Sequence, residues 1–208
     1  MSHEQQPDGG QQQQEPSREI ERRDGPRIYV ASLSDYNAGI LHGVWLEADD
    51  EVEALEQEIL AMLKASPTTK RYGDVAEEYA IHDYENFSRH VRLGEYESLD
   101  QVSRLARGIG RHGEAFAAWW ANQEPEATED DELDEQFEEH YLGEFGSLEE
   151  YGESVLEDMG IDLDELPGVP EGLRPYVTID IEGWTRDMEM GGDITTVEGG
   201  RGVYVFWN

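Results

Sequence analysis

The chain has 208 residues, 37% of them hydrophobic, with 49 acidic against 15 basic side chains and a formal net charge of −34. Phosphates attract Lys and Arg, so this balance excludes nucleic acid and anionic membrane as direct partners and points to something basic. There is no cysteine, which removes disulfides, thiolate metal sites and cysteine nucleophiles, and no apolar run approaches the roughly 20 residues of a membrane span.

Five Trp, ten Tyr and five Phe are too many for a disordered acidic chain. The expectation is a folded protein with small cores and much surface. Residues 1–25, with Pro7, Gly9, Gly10, Gln11 to Gln14 and Pro16, read as a disordered tail. Its polar start does not read as a signal peptide, and the cytoplasm is the expected location.

Order is expected from Arg27. Ile28 to Leu33 reads as a strand, Asp35 to Gly39 as a turn or loop, and Val44 to Leu46 as a second strand. Val52, Leu55, Ile59, Leu60 and Leu63 recur at helical spacing over 51–63, and Tyr79 to Tyr84 reads as a third strand. These form an N-terminal α+β domain, 26–96.

A central helical domain follows, 97–127. Ser98 with Gln101 predicts a capping box, Leu99, Val102, Leu105 and Ile109 form one stripe, and Phe116, Trp119 and Trp120 continue it beyond Gly113. The last domain, 128–208, is again α+β. Phe137, Tyr141 and Leu142 mark one helix. Ser147 with Glu150 caps another that carries Leu148, Tyr151, Val155, Leu156 and Met159. Pro167 and Pro170 stop helix formation. Tyr176 to Ile181 alternates as a strand, and Ile194 to Val197 with Val203 to Trp207 reads as a terminal hairpin. The fold class is therefore α+β: three small domains, with a small antiparallel sheet at each end and a helical unit between them.

The charge is uneven. Residues 1–111 hold 22 acids and 12 bases, residues 112–173 hold 21 acids and no Lys or Arg, and residues 174–208 hold six acids and three bases. Solvated helices ordinarily mix signs, because i,i+4 pairs of opposite charge help and like charges hurt. Cations are missing where they would help stability, which points to a binding role. The acids selected as the partner-binding set are Glu126, Glu129, Asp130, Asp131, Glu132, Asp134, Glu135, Glu138, Glu139, Glu144, Glu149, Glu150, Glu153, Glu157 and Asp158. Composition alone leaves a salt-adapted surface as the alternative, which the use of 13 Arg against two Lys also fits.

Several segments, in order along the chain, resemble the ArdA antirestriction family. Arg27-Ile28-Tyr29-Val30-Ala31-Ser32-Leu33-Ser34-Asp35-Tyr36-Asn37-Ala38-Gly39 and Leu41-His42-Gly43-Val44-Trp45-Leu46 resemble its opening. Glu78-Tyr79-Ala80-Ile81-His82-Asp83-Tyr84-Glu85 is the most specific segment. Glu95 to Leu99, Tyr141 to Phe145 and Gly183 to Met188 with the hairpin continue the match. The Gln-rich tail and Pro67 to Gly73 look like additions.

The resemblance implies that the three domains form an elongated, curved chain, and that 128–208 holds together a homodimer whose acidic side chains stand like phosphates along bent B-DNA. Such a dimer blocks the DNA-binding groove in the methyltransferase core of type I restriction–modification enzymes, inhibiting restriction and modification. It also implies that Gly152 to Pro170 is the antirestriction motif near the dimer contact, with Val155, Leu156, Met159, Leu163 and Leu166 as the apolar face. Packing within one chain is the alternative for each of those five. The family spreads acids along all three domains, whereas here Arg89, Arg92, Arg104, Arg107 and Arg111 interrupt the first 111 residues. Some of these must pair with acids or lie off the binding face.

No enzyme chemistry is selected. Gly108-Ile109-Gly110-Arg111-His112-Gly113 fits a dinucleotide pattern by letters but follows a helical stripe and not a strand. His42, His82 and His112 are scattered, and no metal or cofactor is expected. The alternative function is a generic acidic interaction module or chaperone for another basic DNA-binding protein. A hydrolase or calcium-dependent protein is a third reading, for which no single acidic cluster stands out.

Overall fold

Period-two alternation at the start of the chain builds the first sheet. The computed structural model describes residues 25–73, 75–123, 125, 129–161 and 168–208. Strand β1 (Arg27–Ser32) lies between β2 (Gly43–Glu47) and β3 (Tyr79–Glu85) and is antiparallel to both. Ile28, Val30, Leu46 and Ile81 meet Leu55, Ile59, Met62 and Leu63 of helix α2 (Val52–Lys64), and these residues are buried together. The apolar face of α2 recurs at three to four residues, as an amphipathic helix requires.

Of the turn or loop expected at 35–39, Ala38 and Gly39 form a turn, but Asp35 to Asn37 belong to a short helix, α1 (Leu33–Asn37), whose reason lies far along the chain. The Asp35 carboxylate is fully buried. It accepts the backbone N–H of Thr68 at 2.8 Å and the Thr68 hydroxyl, both from the first turn of α3 (Pro67–Tyr72). The segment that looks like an addition is therefore tied to the first core.

Helix α4 (Leu99–His112) begins at Ser98, but the Ser98 hydroxyl makes no cap bond, so the predicted capping box does not form. Burial holds the helix instead. Leu99, Val102 and Ala106 enter the first core and Leu105 enters a second. The glycine-rich stretch that fits the dinucleotide pattern is the end of this helix. Gly113, at φ 71°, breaks it before α5 (Glu114–Gln123). A Cβ at Gly108 would stand 2.1 Å from the Phe116 ring, so only glycine lets α5 pack this closely on α4.

Helix α6 (Asp130–His140) stops before Tyr141, which opens β4 (Tyr141–Phe145) and does not extend the helix as the sequence spacing suggested. Tyr141 pairs with Phe206 in the second sheet, and a bulge before Gly143 (φ 139°) turns Leu142 outward. Phe137 and Tyr141 still stack, at 5.0 Å, across the junction. Helix α7 (Leu148–Asp158) follows. Ser147 Oγ accepts the N–H of Glu150 at 3.1 Å, and the Glu150 carboxylate accepts the N–H of Gly146 at 2.7 Å.

The strand expected at 176–181 is absent. A 3₁₀ turn (Glu171–Tyr176) leads through extended residues to α8 (Ile181–Gly191), capped by Asp180 accepting the N–H of Gly183 at 2.9 Å. The alternating residues find no partner strand, and Tyr176 and Val177 stay exposed. The hairpin forms as predicted, β5 (Ile194–Glu198) against β6 (Val203–Trp207), and β4 completes the sheet in the order β4–β6–β5.

Strand β6 is central and buried on both faces, which explains its unbroken apolar run. Tyr204 and Phe206 join Phe116, Trp119, Leu133 and Phe137 in the second core, while Val205 joins Tyr151 and Ile194 in a third. The fold is thus α+β with two three-stranded antiparallel sheets. Among the described residues no helix is long and apolar enough to cross a membrane. The Gln-rich tail expectation concerns residues outside those described.

Candidate partner-binding surface

Helix α6 divides its side chains into three wedges, because successive residues turn by about 100°. Leu133 and Phe137 point into the second core, where Phe137 lies 5.4 Å from Phe116 and 5.7 Å from Trp119, ring centre to ring centre. Asp130 and Asp134 flank this buried edge and face α4. Asp131, Glu132, Glu135, Glu138 and Glu139 lie opposite the core and are exposed.

The inward pair consumes the cations of α4. Arg107 grips Asp130 with both arms of its fork, Nε at 2.6 Å and Nη2 at 3.2 Å. Arg111 approaches Asp134 at 2.7 Å and Asp130 at 3.6 Å, and His112 Nε2 reaches Asp134 at 2.9 Å. The Arg107 bond holds the Asp130 carboxyl below the usual carboxylate range, and the same bond raises the Arg107 guanidinium.

The other interrupting arginines are likewise engaged inside the chain. Arg104 pairs with Asp100 one turn away. Arg89 donates to the carbonyls of Glu198 and Gly199, at 3.0 and 2.7 Å, and lies 3.4 Å from Glu114. Arg92 donates to the carbonyls of Arg89 and Val91.

Helix α7 repeats the outward arrangement. Tyr151, Gly152 and Leu156 are buried, and Glu149, Glu150, Glu153, Glu157 and Asp158 are exposed. A Cβ at Gly152 would meet Ile181 and Thr185 at 2.5 Å, so α7 and α8 sit in close contact there. Glu138 and Glu139 occupy the last turn of α6, and Glu157 and Asp158 the last turn of α7. Negative charge at a helix C-terminus opposes the macrodipole, by about 0.3–1 kcal/mol for each group. Those acids are placed against the stability of their own helices.

A sequence profile described as antirestriction protein (ArdA) matches residues 28–203. The chain belongs to the ArdA antirestriction family. No curated protein sequence matches it. Antirestriction activity is directed at restriction–modification enzymes, so such an enzyme is the partner class of this family member.

For this ArdA chain the acids named from sequence fall into three groups. Eleven are exposed with no cationic partner among the described residues: Glu129, Asp131, Glu132, Glu135, Glu138, Glu139, Glu149, Glu150, Glu153, Glu157 and Asp158. Asp130 and Asp134 are bound to α4, and Glu144 is bound to the hairpin loop, accepting the N–H of Arg201 at 2.9 Å and its guanidinium at 3.4 Å. Glu126 lies outside the described residues.

Of the apolar set, Met159 is exposed, Val155 is half-buried and Leu156 is buried, both of the latter inside the chain, while Leu163 and Leu166 lie outside the described residues. Arg107 and Arg111 are the site residues that sequence reasoning did not assign a role. The available signal was that their i,i+4 spacing equals that of Asp130 and Asp134, 23 residues on.

Proposed function

We propose that this protein is an acidic DNA mimic that occupies the DNA-binding groove in the methyltransferase core of a type I restriction–modification enzyme, inhibiting restriction and modification. One observation carries the reading. The outer faces of α6 and α7 are uniformly acidic, have no cationic partner among the described residues, and extend into the C-terminal turns, where acids cost stability.

The density fits. The five outward carboxylates of α6 run from Asp131 to Glu139, about 12 Å of helix axis, or one charge per about 3 Å. One strand of duplex DNA carries one per about 3.4 Å. A groove lined by Lys and Arg for phosphates attracts such a face, steers its approach, and needs no base readout, so inhibition is independent of DNA sequence.

The working form in this proposal is a cytoplasmic homodimer. The exposed Met159, at the end of α7, supports a contact on that side of the chain. The folding units are proposed at 26–96, 97–127 and 128–208. The experiment is a titration of the protein into a purified type I enzyme, following both DNA cleavage and DNA methylation. Inhibition of both with the same concentration dependence is expected. Inhibition of neither at large excess and low salt refutes the proposal for that enzyme.

A further inference from the structure

We infer, resting on the reading that the outward acids of α6 stand for phosphates, that Arg107 and Arg111 are positioning residues for that surface. They touch no partner, and they fix where α6 presents its carboxylates. The two arginines sit one turn apart on α4 and meet two aspartates one turn apart on α6, so the pairs act as a two-rung ladder that sets both the rotation and the axial register of α6. The first rung is a two-armed fork, a geometry with defined direction as well as charge.

Arg107 is itself held from behind. Its Nη1 donates to Ser103 Oγ at 2.5 Å, and Ser103 Oγ donates to the carbonyl of Asp50 at 2.6 Å. The ladder thus refers α6 back to the loop before α2, in the first core. On the core side, α6 is fixed by Leu133 and Phe137 alone among its buried residues. The C-terminal end of α6 is tied through Tyr141 to β6, and the ladder holds the N-terminal turns, which carry only the Leu133 anchor.

Simple charge attraction and geometric presentation predict opposite signs here. Removing an arginine makes the protein more acidic by one charge. If only net charge mattered, the variant would bind a basic groove at least as well. If Arg107 positions the acids, it binds worse.

The test compares Arg107→Gln and Arg111→Gln with Arg186→Gln, which makes the same charge change on α8, where Arg186 pairs with Glu182 one turn away and with no other acid among the described residues. Arg107→Lys keeps the charge without the fork. Two readouts are needed: displacement of labelled DNA from a type I enzyme, and amide hydrogen exchange over 130–140 in the free protein. Arg107→Gln is expected to displace DNA about tenfold less well and to exchange faster in α6. Arg111→Gln should act in the same direction, Arg186→Gln should stay within about twofold of the parent, and Arg107→Lys, which lacks the fork, should recover only part of the loss.

Displacement by Arg107→Gln equal to or better than the parent overturns the inference, as does weakened displacement with unchanged exchange in α6. If Arg107→Gln does not fold, Arg111→Gln and Arg107→Lys carry the same comparison. Failure of the parent protein to displace DNA overturns the DNA-mimic reading instead, and the exchange data still decide whether the ladder holds α6.

Discussion

Glu135 is the residue where stability and binding pull hardest in opposite directions. Its neighbours at i−4, i−3, i+3 and i+4 are Asp131, Glu132, Glu138 and Glu139, all acidic and all exposed. Like charges at these spacings destabilise a helix by about 0.2–0.5 kcal/mol per pair. Four pairs give about 1–2 kcal/mol at low ionic strength, reduced to about 1 kcal/mol by screening near 0.15 M salt. Glu135→Gln keeps the shape and removes all four repulsions.

For a chain of this size such a gain raises Tm by about 2–4 °C. The same substitution takes one charge from the middle of the proposed binding face, and exposed charge contacts contribute about 0.2–1 kcal/mol, so inhibition of a type I enzyme should weaken by roughly 1.4- to fivefold. The assays are calorimetric melts at 20 mM and 1 M salt, and inhibition of DNA cleavage. The Tm gain should be largest at low salt and nearly vanish at 1 M, where the Debye length is about 3 Å. A variant that melts no higher than the parent at low salt, or that inhibits equally well, refutes this account of why the acids are there.

Three further outcomes are expected. Burial pushes the Asp35 carboxyl up, but hydrogen bonds from Thr68, Ser32 and Ser66 outweigh it and hold the group well below the usual carboxylate range. A depressed folded pKa contributes stability that is present above the unfolded value near 3.9 and is lost as pH falls toward the folded one. Asp35→Asn should therefore cost about 2 kcal/mol in urea unfolding near neutral pH, with a gap from the parent that narrows steadily below pH 4. Gly108→Ala drives a methyl into the buried Phe116 ring and should destabilise by about 1–3 kcal/mol, seen as a Tm lower by several degrees, while Gly110→Ala, which meets nothing within 4 Å, should not. Met159→Glu places a charge at the proposed dimer contact and should raise the monomer fraction in sedimentation equilibrium; an unchanged dimer would move the contact elsewhere.

The elements carried by strong local periodicity were legible in sequence: β1, β2, β3, α2, α7 and the terminal hairpin follow from apolar spacing and turn residues alone. The differences have long-range causes. Helix α1 forms because Asp35 finds Thr68, 33 residues away. Tyr141 leaves the helical stripe because Phe206 offers a strand partner, while Tyr176 to Ile181 fails as a strand because no such partner exists. The acidity of 112–173 could be read by counting, but its division into inward and outward faces could not. Asp130 and Glu135 look alike in sequence, and only the position of α4 separates the bound carboxylate from the free one. The requirement that the interrupting arginines pair with acids or lie off the binding face was visible beforehand, and the contacts of Arg104, Arg107 and Arg111 meet it.

The central claim is competition for one groove. Its most direct test is the apparent Kd of a type I methyltransferase core for duplex DNA, measured at a series of concentrations of this protein and at two salt concentrations. Competition predicts an apparent Kd that rises linearly with the protein concentration without limit, in the same proportion for unrelated DNA sequences, with a slope that falls as salt rises. A rise that saturates, with enzyme, DNA and this protein bound together, would contradict occupation of the DNA groove.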